Sequence, residues 1–311
     1  MLRVTPGSAG LTVDAPAKVN LTLRVVGVRP DGYHDLESVV AAVGLFDRLR
    51  FEPADRLELS CDAHGVPSGD DNLVMKAARL LGDAAGLCSG ARIYLEKHIP
   101  AGRGLGGGSS DAAAALVGLA ALWQCGQGPG ELACLGARLG SDVPLFFGSP
   151  VSVMRGRGER IEAVDAQVRW WLALAWPDYG NPTAQVYAAY DRLPPPAQPD
   201  GGRPGATEIL KCLEGAAGRA AAFLVNDLEP AARALRPDGP DVRAILERAG
   251  AAAVGMTGSG SACFGLAETE AEARRLADAA RAAGLEAAAA PFYRNLAASK
   301  ETHHESNQRH R

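Results

Sequence analysis

Glycine and serine are concentrated at residues 100–111, which read Pro-Ala-Gly-Arg-Gly-Leu-Gly-Gly-Gly-Ser-Ser-Asp. Glycine tolerates positive φ angles and lets a ligand approach the backbone closely. When such a loop leads into a helix, its N–H groups converge on one point, and the partial positive charge of the helix N-terminus attracts anions there. This segment, called the glycine loop below, therefore favours binding of a nucleotide polyphosphate, and Ser109 and Ser110 could cap the helix or bind a metal.

Patterns on both sides of the glycine loop support this interpretation. Ile93, Leu95 and Ile99 alternate with more polar residues, which predicts a half-buried strand over residues 92–99. Residues 111–123 are rich in alanine and begin with an acid, which predicts a helix. The alternative is a flexible turn, because clusters of glycine are often turns.

Two other phosphate-binding patterns do not fit the loop. Gly102, Gly104 and Gly107 have the spacing of a dinucleotide fingerprint, but residues 122–128 lack the acid expected about 20 positions later. The Walker pattern requires a lysine before its serine or threonine, and the loop has no lysine. The phosphates are therefore expected to bind mainly to backbone amides and the helix start.

Composition sets limits on the class of protein. The chain has 311 residues, 47% hydrophobic and 22% charged, as expected for one large or two ordinary globular domains. A net charge of −4 argues against a general nucleic-acid surface, and no apolar run approaches the roughly 20 residues that cross a bilayer. The N-terminus lacks the apolar core of a signal peptide, and the six cysteines form no C-x-x-C pair. We therefore expect a cytoplasmic protein with reduced thiols.

Two polar residues near the N-terminus share one face of a predicted strand. Lys18 and Asn20 stand at the start of an alternating apolar pattern over residues 19–25, and side chains i and i+2 of a strand point the same way. A solvated strand face and a functional pair both fit this arrangement.

A predicted turn brings an aromatic ring and an imidazole to the start of the next strand. Pro-Asp-Gly at residues 30–32 is a turn sequence, and Tyr33 and His34 follow it directly, before a strand-like run at 36–45. The pair could stack on a base and hydrogen-bond to its edge. Taken alone, the pair is better explained by a ring on the core rim and a surface histidine.

Asp142 lies on a predicted turn beside apolar residues. It stands between Ser141 and Val143-Pro144, with no helical period around it. A carboxylate held against apolar walls needs a partner, commonly a lysine or an arginine. An ordinary turn aspartate is the alternative.

Other segments are predicted from their local patterns. Residues 47–62 are expected to form a hairpin, Asn72 to cap a helix, and residues 193–207 to form a mobile surface loop. A second turn rich in glycine and serine, at 254–265, is as typical of a tight hairpin as of ligand contact. Composition shifts near residue 160, where we expect one domain to end.

Five stretches of the chain together resemble the GHMP kinases. They are residues 15–21 (Ala-Pro-Ala-Lys-Val-Asn-Leu), 29–34 (Arg-Pro-Asp-Gly-Tyr-His), the glycine loop, 140–144 (Gly-Ser-Asp-Val-Pro) and 258–261 (Gly-Ser-Gly-Ser). The resemblance covers residues 12–285. The glycine loop alone indicates the superfamily, whereas the Pro-Asp-Gly-Tyr-His turn after Ala-Lys-Val-Asn is similar to the members that phosphorylate 4-diphosphocytidyl-2-C-methyl-D-erythritol.

This resemblance implies an α+β fold with two lobes and an active site in the cleft between them. We expect an ATP-binding lobe at residues 1–160, a C-terminal lobe at 161–298 and a disordered tail at 299–311. The implied activity is phosphoryl transfer from ATP, with Mg²⁺, to the 2-hydroxyl of that cytidylyl alcohol in the non-mevalonate isoprenoid route. The alternatives are a kinase of the same superfamily that acts on mevalonate, homoserine or galactose, and a nucleotide-binding protein without catalysis.

The resemblance also implies roles for individual residues. Asp142 is expected to be the catalytic base, and Lys18 the lysine that holds it ionised. Substrate contacts are expected at Asn20, Tyr33, His34 and Thr183, with the aromatic and imidazole pair on the cytosine. ATP contacts are expected at Asn72, Lys97, Pro100, Ala101, Gly102, Arg103, Gly104, Leu105, Gly106, Gly107, Gly108, Ser109 and Ser110. Ser141 stands where the family often has alanine, and its hydroxyl could compete for Asp142, while metal ligands and oligomeric state are left unassigned.

Overall fold

The computed structural model describes residues 1–63, 65–87, 89–166, 168–194 and 205–293. Residues 195–204 of the loop expected to be mobile, and the whole tail expected to be disordered, lie outside the described residues. Within the described ranges, no helix is long and apolar enough to cross a membrane.

The first half of the chain builds a large sheet, in which the described residues supply eight strands. These are β1 (Arg3–Pro6), β2 (Leu11–Asn20), β3 (Arg24–Val28), β4 (His34–Ala54), β5 (Leu57–Cys61), β6 (Gly90–Glu96), β7 (Val151–Gly156) and β8 (Arg160–Val164). Strand β4 is 21 residues long and pairs antiparallel with β2, β3, β6 and β7. Most of the sheet is therefore attached to this one strand.

Residues 47–62 do not form the expected hairpin. Strand β6 lies between β4 and β5, antiparallel to β4 and parallel to β5. Parallel neighbours need a crossover connection, and helix α1 (Leu73–Ala85) supplies it between β5 and β6. The local alternation of polar and apolar residues could not show that a later strand would insert.

The strand expected over residues 19–25 is also interrupted. β2 ends at Asn20, and β3 begins at Arg24. Between them, the Leu23 N–H donates to the Val225 carbonyl at 2.7 Å rather than to a neighbouring strand of the large sheet. This segment therefore attaches the start of the chain to its C-terminal part.

Helix α2 (Gly107–Trp123) packs on the large sheet, and α1 and α3 (Pro129–Ala137) pack against α2. Phe51 and Ile93 of the sheet and Leu81 and Leu116 of the helices are fully buried in one cluster. The alanines of α2 let it approach the sheet closely, and at Gly118 a Cβ would lie only 2.5 Å from the Phe51 ring. The predicted helix is confirmed, although it begins four residues before Asp111.

The second half of the chain builds a small antiparallel sheet. Its strands, in the order β10-β11-β9-β12, are β9 (Trp171–Trp176), β10 (Ala253–Met256), β11 (Cys263–Ala267) and β12 (Glu286–Pro291). The helices of this half are α4 (Thr183–Tyr190), α5 (Ala206–Cys212), α6 (Glu229–Ala234), α7 (Val242–Arg248) and α8 (Glu270–Ala282). Residues 172–176 of β9 are all buried, as expected for a strand with a neighbour on each side.

The two sheets share one hydrophobic core. Val19 and Val39 of the large sheet belong to the same buried cluster as Leu172, Leu174 and Phe264 of the small sheet. The large sheet continues to the end of β8, past the domain boundary expected at residue 160, and the division of the chain into lobes stays a prediction.

Candidate active site

Residues from both halves of the chain line a cavity of about 760 Å³. The first half contributes Lys18, Asn20, Tyr33, His34, Ser38, three glycines of the glycine loop and Asp142; the second half contributes Thr183, Tyr187, Asp191, Gly258 and Ser259. Most of the expected catalytic and substrate residues therefore face one space, although they come from distant parts of the sequence.

Lys18 and Asp142 meet in this cavity. The Lys18 Nζ lies 3.6 Å from Asp142 Oδ2, and the lysine is only 4% exposed whereas the aspartate side chain is 36% exposed. The lysine stem packs against the glycine loop, where a Cβ on Gly106 would lie 2.8 Å from Lys18 Cγ. The carboxylate is thus paired with a cation and still open to a ligand.

Asn20 orients the lysine head. Its Oδ1 accepts from Lys18 Nζ at 2.6 Å, and its Nδ2 donates to Ser38 Oγ at 2.8 Å. The backbone N–H of Asn20 also donates to Thr257 Oγ1 at 3.0 Å, in the second glycine- and serine-rich turn. Ser38 and Thr257 were not expected at the site, and only the position of Thr257 inside that turn was a signal for it.

The glycine loop ends in the start of helix α2. Gly102, Gly104 and Gly106 have φ angles of +68°, +82° and +72°, in the left-handed region that favours glycine. Gly106 is the N-cap of α2, so the serines lie inside the first helical turn and neither caps it, contrary to expectation. The first N–H groups of a helix have no intrahelical partner, which leaves those after Gly106 available to an anion.

The second glycine- and serine-rich turn joins β10 to β11 and packs on the glycine loop. A Cβ on Gly104 would lie 2.1 Å from the Thr257 carbonyl oxygen, and the Ala262 N–H donates to the Arg103 carbonyl at 3.2 Å. Both interpretations of this turn hold, because it is a hairpin and it also lines the cavity. The Arg103 guanidinium donates to the carbonyls of Pro177 and Asp178, at 3.2 and 2.5 Å.

The imidazole of His34 is held by residues of the α4 segment. Its Nε2 lies 2.7 Å from Asp191 Oδ1, and its ring stacks on Tyr187 with centroids 4.8 Å apart. Burial, together with the charge of Asp142, raises the pKa of Tyr187 to about 12, so its hydroxyl stays protonated. Tyr187 and Asp191 were missed, although they follow Thr183 at intervals of four, the helical spacing of one face.

Two more contacts complete this end of the cavity. Tyr33 is 57% exposed, and the guanidinium of Arg157 lies 4.4 Å from its ring centroid. Thr183 Oγ1 lies 3.0 Å from Ser259 Oγ across the cavity wall. A base that stacks on the covered face of Tyr33 must displace Arg157.

Several expected ATP contacts point elsewhere. Asn72 is the N-cap of α1, where its Oδ1 accepts from the Val74 N–H at 2.8 Å and its Nδ2 donates to the Pro67 carbonyl at 2.6 Å. The Lys97 ammonium is buried against Asp47 and Asp111. Of the other loop residues, Leu105 and Ser110 are buried, Pro100 and Ser109 are half-buried, and Ala101 and Gly108 are exposed.

Comparison with known proteins defines the class of this chain. The family model for the GHMP kinases N terminal domain matches residues 72–149, and that for GHMP kinases C terminal matches residues 208–285. A homoserine kinase from Cytophaga hutchinsonii has the same fold, with a TM-score of 0.69 at 18% identity over 94% of this chain and 97% of its own. The chain is a GHMP kinase, and the α+β fold expected for that class is confirmed.

More similar relatives narrow the family. The 4-diphosphocytidyl-2-C-methyl-D-erythritol kinase of Pelotomaculum thermopropionicum is 42% identical over 86% of this chain and 92% of its own length. The enzyme of that name from Cereibacter sphaeroides is 44% identical over 85% of this chain and 92% of its own. A crystal structure of 4-(cytidine 5'-diphospho)-2C-methyl-D-erythritol kinase superposes with a TM-score of 0.76 at 39% identity, over 91% of this chain and all of its own. The chain belongs to the 4-diphosphocytidyl-2-C-methyl-D-erythritol kinase family.

Proposed function

We propose that this protein transfers the terminal phosphoryl group of ATP to the 2-hydroxyl of 4-diphosphocytidyl-2-C-methyl-D-erythritol, giving the 2-phosphate and ADP. The step belongs to the non-mevalonate route to isoprenoid precursors, in keeping with the names of its relatives. The observation that carries the proposal is the Lys18–Asp142 pair, which shares one cavity with the glycine loop and with the residues around His34.

Asp142 is the general base of this proposal. A tertiary alcohol is a weak nucleophile, so a carboxylate that takes its proton as the phosphoryl group arrives accelerates the transfer, typically by roughly 10²–10⁴-fold. The Lys18 ammonium, 3.6 Å from Asp142 Oδ2, stabilises negative charge at the reacting oxygen. Because the Asp142 side chain is 36% exposed on the cavity, the acceptor hydroxyl can reach it.

The glycine loop fits the polyphosphate of ATP. It lines the cavity with glycines, and the positive φ angles at Gly104 and Gly106 disfavour any side chain there. Phosphoryl transfer depends mainly on positioning and charge neutralisation, which backbone N–H groups and the start of α2 can supply. Asn72 stays a proposed contact for the adenosine end, and it would make that contact by exchanging one of its present hydrogen bonds, because its side chain and its backbone N–H are both bonded within the protein.

Magnesium would supply charge neutralisation on the phosphates. Mg²⁺ is commonly held by one or two protein oxygens in addition to phosphate oxygens and water, so a site built from protein alone is not required. The described residues contain no cluster of three or more His, Cys, Asp or Glu side chains that could hold a metal. The protein oxygen that would contribute is the hydroxyl of Ser110, in the first turn of α2, which has no hydrogen-bond partner among the described residues.

The cytidine end of the substrate is assigned to the residues around His34. Asp191 and the Tyr187 ring fix the imidazole, and an imidazole so fixed can hydrogen-bond to the edge of a base. Tyr33 offers an exposed ring for stacking. Asn20 and Thr183, which also line the cavity, are assigned to the alcohol between the base and the reacting hydroxyl.

The test is ADP release with a panel of acceptors. The purified chain, with ATP and Mg²⁺, should release ADP with the cytidylyl alcohol and little with mevalonate or homoserine. His34→Ala should raise the KM for the cytidylyl alcohol by roughly tenfold, the cost of about one good hydrogen bond to a base, with the KM for ATP unchanged. Turnover of mevalonate or homoserine alone would replace the proposed acceptor, and binding of ATP without turnover of any acceptor would favour a non-catalytic protein.

A further inference from the structure

Three charged side chains lie buried together beneath the glycine loop. Lys97 follows the end of β6, Asp47 lies in β4, and Asp111 lies in α2; their side chains are 6%, 0% and 5% exposed. The Lys97 Nζ contacts Asp47 Oδ2 and lies 2.8 Å from Asp111 Oδ2. None of the three lines the cavity, so the proposed chemistry gives them no direct role.

Asp47 fixes the residues that enter the loop. Its Oδ1 accepts from the backbone N–H groups of His98 and Ile99, at 2.6 and 2.8 Å. These residues directly precede Pro100. A carboxylate that accepts two N–H bonds and contacts an ammonium is held in place by charge-assisted hydrogen bonds, so the entry to the loop is bonded to a fixed side chain on β4.

Lys97 fixes the residues that leave the loop. Its ammonium bonds Asp111 in α2, and it lies so close below the helix start that a Cβ on Gly107 would be 3.2 Å from Nζ. Gly107 is the first residue of α2 and carries one of the N–H groups available to phosphate. Both ends of the loop are therefore tied to one ammonium.

Charge balance explains how this cluster can be buried. One ammonium and two ionised carboxylates would leave a net negative charge in the core, which is costly. Burial raises the pKa of Asp111 to about 8, against the pull of Lys97 and with the help of Asp47. Burial also opposes the charge on Lys97, but Asp111 and Asp47 outweigh it and raise the pKa of the ammonium. Burial therefore favours the protonated form of Asp111 over the ionised form, which lowers the net charge that the cluster carries in the core.

We infer that Asp47, Lys97 and Asp111 form a clamp that holds the glycine loop in its ATP-binding shape, so that Lys97 acts on ATP through the loop. The inference rests on the proposed function only in that the loop binds ATP. It replaces the direct contact between Lys97 and ATP that the resemblance implied. A loop with three residues at positive φ has many other conformations, and fixing both of its ends reduces the entropy lost when the phosphates bind.

The test compares variants of the clamp in the full chain. Steady-state ADP release is measured with ATP and the cytidylyl alcohol varied in turn, and ADP affinity is measured by calorimetry. Lys97→Met and Asp47→Asn should each raise the KM for ATP and the Kd for ADP by roughly 10- to 100-fold, as expected for a displaced phosphate cradle, with the KM for the alcohol nearly unchanged. Asp111→Leu, which removes the second partner of the ammonium, should behave like Asp47→Asn, and Asp111→Asn, which keeps an oxygen for the ammonium, should raise both values less.

The outcomes separate a clamp from a direct contact. If Lys97→Met weakens ATP binding and Asp47→Asn does not, Lys97 touches ATP and the clamp is wrong. An equal rise in both KM values would also overturn it, because general loss of structure has no preference for ATP. If Asp47→Asn does not fold, the double variant Asp47→Asn/Lys97→Gln takes its place, because it removes the ammonium together with its partner. A KM for ATP equal to that of the wild type in this double variant would reject the clamp. Wild-type protein that binds ADP without turnover would contradict the proposed function and leave the clamp to be judged on ADP affinity.

Discussion

Two lysines beside the glycine loop pair with aspartates, and the two pairs differ in their access to the cavity. At Lys18 the ammonium meets Asp142 at 3.6 Å, and the aspartate side chain is 36% exposed. At Lys97 the ammonium contacts Asp47 and Asp111, which are at most 5% exposed. The same two functional groups thus form an open pair that can exchange a proton with a ligand and a closed cluster that cannot.

The comparison teaches that the surroundings of an ion pair decide its use. Asp142 is on a turn at the cavity wall, so one side of its carboxylate is free for an acceptor hydroxyl. Asp47 Oδ1 is occupied by two backbone N–H groups, and its other oxygen contacts Lys97. A carboxylate so occupied has no position for a reacting proton, and its contacts favour a structural use.

The largest expected effect is on catalysis, at the open pair. Asp142→Asn should lower kcat by roughly 10²–10⁴-fold, because an amide cannot take the proton of the alcohol, with KM values and melting temperature little changed. Steady-state ADP release measures this. Asp165→Asn, an exposed aspartate outside the cavity, is the matched control and should be unaffected. A kcat for Asp142→Asn within a fewfold of wild type would remove Asp142 as the base.

The next effect is on stability, at the closed cluster. Lys97→Met leaves Asp47 buried without its counter-ion, which should lower the free energy of unfolding by about 3–5 kcal/mol. Lys18→Met should lower it by about 1 kcal/mol or less, because water reaches the partner Asp142. Urea unfolding of both variants under one condition makes the comparison. Equal losses would show that the two clusters do not differ in the way proposed.

The sequence predicts those features of the two lysine–aspartate sites that depend on short, local stretches of residues. The glycine loop, the Pro-Asp-Gly turn and the Asp142 turn are short stretches whose residue types imply their conformation, and the resemblance that they and Lys18 carry implied a shared cleft. The expectation that Ser109 or Ser110 could cap helix α2 was wrong. Gly106, at a positive φ, is the N-cap, so the helix begins earlier than the alanine-rich pattern suggested.

The parts that could not be predicted depend on distant contacts. Asp47 lies within the stretch expected to form a hairpin, and its meeting with Lys97 requires β6 to insert beside β4 through a crossover that alternation does not encode. Tyr187 and Asp191 reach His34 only because α4 packs over the start of β4. The sequence places Lys97 just before the glycine loop, but it does not show which charged side chains Lys97 contacts in the fold.

The closed cluster should also give stability a dependence on pH that Asp111→Asn removes. Folded Asp111 keeps its proton up to a pKa of about 8, while the unfolded carboxyl loses it near its ordinary value of 3.8. The folded state therefore binds more protons in between, and its stability falls as pH rises, by at most about 1.4 kcal/mol per pH unit. Other ionisable groups around Asp111 are Lys97, Asp47, Asp62 and the Cys61 thiol. Burial raises the pKa of that thiol, so it stays neutral between pH 6 and 8.

The measurement for this dependence is urea unfolding at pH 6, 7 and 8. Groups that both proteins share cancel when the wild-type curve is compared with that of Asp111→Asn. The wild type should lose stability relative to the variant as pH rises. Parallel curves would mean that Asp111 is ionised throughout and that the cluster carries a net negative charge.

The smallest expected effect concerns the orientation of the open pair. Ser38→Ala removes two buried hydrogen bonds, one from Asn20 Nδ2 and one to the Thr22 carbonyl, and should lower the free energy of unfolding by about 2 kcal/mol, at about 1 kcal/mol for each bond. Because Asn20 Oδ1 holds the Lys18 ammonium, kcat should fall by roughly two- to fivefold while the KM for ATP is unchanged. Ser60→Ala, whose hydroxyl lies 3.4 Å from a carbonyl in β6 of the same sheet, is the control and should leave kcat unchanged. A loss of stability without a loss of kcat would show that the pairing with Asp142 alone holds Lys18 in place. The hydrogen bonds of Asn20 and Ser38 would then have no part in orienting the ammonium.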